Sequence, residues 1–120
     1  MPYEINYTDE FGEWWDGLSI EQQEAIIARV ELLEEHGPAL GRPTVDRVNG
    51  SAFHNMKELR CSSSGTLRVL FAFDPRQEAI LLLGGDKSGD WDAWYDEAIP
   101  AADALYAEYL RSLRREGIIE

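Results

Sequence analysis

Apolar and polar residues alternate at the start of the chain. Tyr3, Ile5 and Tyr7 fall on one side and Glu4 and Asn6 on the other, a period of two that predicts a short strand over Tyr3–Tyr7. Asp9–Asp16, with Trp14 and Trp15, predicts a short helix. Ser19 with Gln22 three residues on is a capping-box signature. The helix it opens runs to about His36, with Ile26, Ile27, Val30 and Leu33 as its apolar stripe and Gly37-Pro38 as its stop. Residues Gly37 to Gly50 have weak periodicity and read as a long crossover loop. Three strands follow, Phe53–Cys61, Thr66–Asp74 and Glu78–Leu83, with turns at Ser62-Ser63-Ser64-Gly65 and Pro75-Arg76-Gln77. The run Ile80-Leu81-Leu82-Leu83 is apolar on both sides, which suits a central strand or one covered on both faces. The loop Gly84–Gly89 leads to a last helical stretch, capped by Asp90 and running to about Glu116, which Pro100 should kink or divide. The order β, α, α, three strands, α predicts one α+β domain over residues 1–120: an antiparallel sheet of about four strands with helices packed on one face.

Charge complicates this picture. The 120 residues hold 11 Lys and Arg against 23 Asp and Glu, a net charge of −12. A uniformly acidic surface repels nucleic acid and anionic membranes. The charge is not uniform, however. Residues 1–40 hold ten acids and one base, residues 41–90 six acids and seven bases, and residues 91–120 seven acids and three bases. The acid therefore lies mostly on the predicted helices, and the three-stranded segment is near neutral. A basic nucleic-acid-binding domain is excluded on the average charge, but the average hides two different surfaces. No stretch reaches the ~18 apolar residues of a membrane span, and the N-terminus lacks the pattern of a signal peptide. The single Cys61 reads as a packing residue in a reducing cytoplasm, and with His36 and His54 it makes no zinc ligand set, so neither metal nor cofactor is expected. Gly84-Gly85 is too short to cradle a phosphate.

Strand parity then singles out two arginines. Leu67, Val69, Phe71 and Phe73 share one face, which sends Arg68, Leu70 and Ala72 to the other. If Leu59 pairs with Val69, Arg60 lies opposite Arg68 on the face away from the core. Like charges opposed across a ladder are destabilising unless something anionic lies between them. Either the two arginines bind an anionic ligand, or they are solvated or paired internally with Glu58 or Asp74. His54 and Lys57 are placed on the strand of Arg60, and Lys87 in the Gly-rich loop, where a side chain can approach a ligand closely. Trp91, Trp94, Ala98, Leu105 and Tyr109 roughly share a helix face suited to packing on the sheet. Tyr95, next to them, is a candidate for proton transfer if it points toward the loop of Lys87.

Several segments together resemble a known family. They are Leu40-Gly41-Arg42-Pro43, Gly50-Ser51, His54-Asn55-Met56-Lys57-Glu58-Leu59-Arg60, the run Arg68 to Pro75, Gly84-Gly85-Asp86-Lys87-Ser88-Gly89 and Trp94-Tyr95. Between about Leu40 and Leu110 the chain resembles the HigB-like, phage-derived branch of the RelE/ParE toxin superfamily. The resemblance implies a small α+β fold and a metal-independent mRNA endoribonuclease acting on the ribosome in the cytoplasm. It also implies a cognate antitoxin, usually a helix-turn-helix DNA-binding protein. Arg60 and Arg68 would hold the scissile phosphate, Lys87 would be a third contact or a proton donor, and Lys57, His54 or Tyr95 would transfer protons. The competing expectation is a non-enzymatic member that acts by protein binding, as the gyrase-poisoning branch does, or as an inactive regulatory partner.

Overall fold

A computed structural model describes residues 2–61, 66–86, 89 and 91–120. Strand β1 (Ile5–Tyr7) is followed by α1 (Asp9–Asp16) and α2 (Ile20–His36). A 3₁₀ turn, Gly37–Ala39, leads to β2 (Val45–Arg47), β3 (Lys57–Cys61), β4 (Leu67–Phe73), β5 (Ala79–Asp86) and α3 (Trp91–Arg115). The five strands form one sheet in the order β1-β5-β4-β3-β2. Only β1 pairs in parallel, with β5; β2 to β5 are antiparallel.

The α+β class and its antiparallel sheet hold, with three departures. First, Val45–Arg47 forms an edge strand inside the expected crossover loop. Three residues are too few for a period of two to stand out, and its pairing (Val45 with Leu59) is a tertiary property. Second, β3 begins at Lys57, so Phe53–Asn55 precede it in bends and turns. Third, the helices do not share one face. Phe11 of α1 and Ile26 and Leu33 of α2 pack on Leu59, Val69, Phe71 and Leu81. Ala98, Ala102, Tyr106 and Leu110 of α3 pack on Leu70, Ala72, Ile80 and Leu82 on the opposite face.

The local signals explain most element ends. Ser19 accepts from the Gln22 amide N–H while the Gln22 side chain accepts from the Ser19 amide, so the capping box forms as expected. Thr8 caps α1 in the same manner by accepting from the Phe11 amide. The turn before β5 is built on buried Asp74, whose Oδ1 accepts from the amides of Arg76 and Glu78. Helix α3 continues through Pro100 without division. Pro100 lies on the exposed side of the helix, and proline removes one intrahelical hydrogen bond there. The Asp90 cap, the Ser62–Gly65 turn and the side chain of Trp91 lie outside the described residues.

Candidate functional site

Residues of even number on β3 and β4 point to the α3 side of the sheet. The ladder places Arg60 directly opposite Arg68 and Glu58 opposite Leu70, so the expected register is observed. The anion between the arginines is internal. The Glu58 carboxylate reaches Arg60 Nε through Oε2 at 3.0 Å and lies 3.6 Å from Arg68 Nε. Its Oε1 accepts from the Tyr95 hydroxyl at 2.7 Å. Arg60 also spans to Asp46 on β2 (3.0 Å), which in turn holds Arg42 (3.1 Å). Arg68 donates to its neighbour's carbonyl, Leu67 O, at 3.0 Å.

Burial grades across the cluster. The side chains of Glu58 and Arg68 are 6% and 9% exposed and that of Arg60 is 36% exposed. Arg60 is thus the group that solvent, or an incoming anion, meets first. Its guanidinium is held more firmly protonated than usual, chiefly by the hydrogen bond to Glu58. Burial, reinforced by the Glu58 carboxylate, pushes the Tyr95 phenol up to about 12. Tyr95 therefore carries its proton at neutral pH and is a donor. Hydrogen bonding to Arg42 holds the Asp46 carboxyl below its ordinary range.

The end of α3 is fitted closely to the sheet here. Gly85 pairs with Arg68, and a β-carbon at Gly85 would overlap the indole of Trp94. At the preceding residue, Gly84, a β-carbon would overlap the indole of Trp14. The two glycines thus let tryptophans lie on bare backbone, one from α1 and one from α3.

The other expected residues are dispersed. Lys57 shares the parity of Leu59 and points to the α1/α2 side, where its Nζ lies 5.8 Å from the Phe73 ring centroid. With Arg42, Asp46 and Arg47 it lines a cleft of about 280 Å³. His54 is exposed in the turn before β3 rather than on the strand. Lys87 lies outside the described residues. Cys61 is buried, and burial pushes its thiol up to about 12, which suits a packing residue and not a nucleophile. Among the described residues no group of three or more His, Cys, Asp or Glu is placed to hold a metal ion. No described helix is long and apolar enough to cross a membrane. The residue the sequence reading left out of the site is Glu58, named only as a partner for arginine. Its parity with Arg60 was the available signal.

The five-stranded sheet, with α1 and α2 on one face and α3 on the other, has the RelE fold. A mutant E. coli RelE toxin in the free state superposes with a TM-score of 0.61 at 15% identity, over 83% of this chain and 97% of that one. A chain of the intact E. coli RelBE toxin–antitoxin complex gives 0.57 at 13% identity, over 70% and 95%. The chain belongs to the family described as Phage derived protein Gp49-like, which matches residues 13–107. Two proteins of Mycobacterium tuberculosis named as proposed toxins are similar to it. HigB2 is 52% identical over 85% of this chain, and HigB3 is 52% identical over 82%. The chain spans about half of HigB2 (52% of its length) and 86% of HigB3.

Proposed function

We propose that the chain is the toxin component of a type II toxin–antitoxin module and cleaves mRNA, on the ribosome, without a metal ion. The observation that carries this reading is the opposition of Arg60 and Arg68 on one sheet face, with Tyr95 at the same carboxylate. In the reaction the RNA 2′-oxygen attacks the adjacent phosphorus, the bond from phosphorus to the 5′-oxygen breaks, and a cyclic phosphate and a 5′-hydroxyl result. Negative charge gathers on the non-bridging oxygens, where two positioned guanidiniums stabilise it. Arg60, the more exposed, meets the phosphate first, and Arg68 follows once Glu58 yields its contacts. Glu58 takes the proton from the 2′-hydroxyl, and Tyr95, protonated at neutral pH, supplies one to the 5′-oxygen. Lys87 is proposed as a further phosphate contact. Lys57 and His54 have a weaker case, on the opposite side and in an exposed turn. The RelBE complex supports a cognate antitoxin as the partner, here proposed to be a helix-turn-helix protein.

Inducible expression followed by mapping of mRNA 5′ ends tests the reading. Arg60→Ala, on a half-exposed side chain, should relieve growth arrest and abolish the new ends with the circular dichroism spectrum unchanged. Arg68 is too buried for a clean truncation to Ala, so Arg68→Lys is the matching variant. Arrest and cleavage undiminished in both would refute the assignment. A second reading, arrest by protein binding alone, is favoured by the engagement of Glu58 with both guanidiniums. It predicts arrest with intact mRNA.

A further inference from the structure

We propose that the groove between β1, α1 and α2 is the docking site for a basic amphipathic segment of the partner protein. The proposal rests on the reading of the chain as a toxin held by an antitoxin, and it names the chemistry of that partner. The groove has a volume of about 950 Å³. Its floor is apolar, with Ile5, Trp15 and Val30 among the side chains. Tyr7 and Ile27 line it while remaining 66% and 45% exposed. They are two of the four large apolar side chains left exposed among the described residues. Water contact with such side chains is relieved when a partner covers them.

The rim decides what kind of partner. Glu4, Asp9, Glu13, Asp16, Glu31 and Glu34 surround the floor, and among the described residues no Lys, Arg or His lines the groove. Six carboxylates around an apolar floor hold a negative potential, which repels RNA phosphates and anionic headgroups and attracts cationic side chains. An apolar stripe flanked by Lys and Arg, the pattern of a basic amphipathic helix, is complementary to both features at once. The groove is walled by α1 and α2, whereas Arg60 and Arg68 point to the α3 side. Occupancy of the groove therefore leaves the arginines uncovered, and the two surfaces are testable apart.

The probe is a synthetic amphipathic peptide long enough to hold a helix, with Leu on one face and Lys and Arg on the other. Its control carries Glu in place of every base. Each is titrated into the full chain by calorimetry at low and high salt. The basic peptide should bind, more weakly as salt rises, and the acidic one should not. Combined Glu13→Lys, Asp16→Lys and Glu31→Lys, all exposed, should weaken binding by about tenfold or more and flatten the salt dependence. Ile27→Gln should weaken it with the salt dependence unchanged. The comparison triple Glu97→Lys, Glu116→Lys and Glu120→Lys makes the same change in net charge away from the groove and should leave affinity unchanged. Equal loss in that triple, no binding of the basic peptide, or self-association of the chain removed by Ile27→Gln would overturn the proposal. Growth arrest is scored separately. Absence of arrest with groove-dependent peptide binding counts against the toxin reading and for the groove, and arrest without peptide binding does the reverse.

Discussion

The two faces of the sheet are covered by different means. On the α1/α2 side, Phe11, Ile26 and Leu33 meet Val69, Phe71 and Leu81 in a continuous apolar layer, and the helices' carboxylates stay outside it. On the α3 side the apolar layer of Ala98, Ala102, Tyr106, Ile80 and Leu82 is bounded by ionic groups. At one end lie Glu58, Arg60, Arg68 and Tyr95. Buried Asp74 holds Arg76 and accepts from Tyr109, another polar cluster on that helix. Burying apolar area is favourable in any arrangement that excludes water. A buried ion pair holds only while both partners are in place. The first face is therefore expected to set stability, and the second to set which groups meet an anion.

Substitutions can break or sharpen that contrast. The largest expected effect is Phe71→Ala, which empties a fully buried site on the apolar side and should cost about 3–5 kcal/mol in urea unfolding. Glu58→Gln comes next. It removes the charge shared by Arg60 and Arg68, but Arg60 keeps Asp46 and Arg68 keeps the Leu67 carbonyl, so it should cost about 2 kcal/mol by the same measurement. Equal loss on the two sides would erase the distinction. Tyr95→Phe should cost least, about 1 kcal/mol for one hydrogen bond, and it changes the alkaline limb. The folded chain holds the Tyr95 proton more tightly than the unfolded chain, where tyrosine titrates near 10.0. Its contribution is whole below pH 10 and is lost as pH rises through about 12. Tyr109 shifts in the same direction, to about 12, through burial and then Asp74. The thermal midpoint should fall across that window, and less steeply in Tyr95→Phe.

Parity made the shared face of Arg60 and Arg68 legible once Leu59 was assigned to the core, whereas their direct opposition needed the pairing of Leu59 with Val69, which the ladder supplies. The covering of both faces was also written in Ile80-Leu81-Leu82-Leu83, although the expected layer order placed all helices together. What hid α3 was its contact surface: Ala98 and Ala102 make a close-packed seam of small residues that reads weakly beside Trp91 and Trp94. Lys57 lies on the expected strand with Arg60, but membership of one strand does not make one site, because residues an odd number apart point to opposite faces. Asp46 escaped notice because its strand has three residues and acquires meaning only through β3.

Gly84 and Gly85 carry a consequence for variation within the family. Each position is defined by the flat side of an indole, Trp14 on one face and Trp94 on the other, with a single peptide between them. A side chain gained at Gly84 calls for a smaller ring at residue 14, and one gained at Gly85 for a smaller ring at residue 94. The substitutions should therefore travel as pairs, and homologues that lose one glycine should have lost the tryptophan facing it.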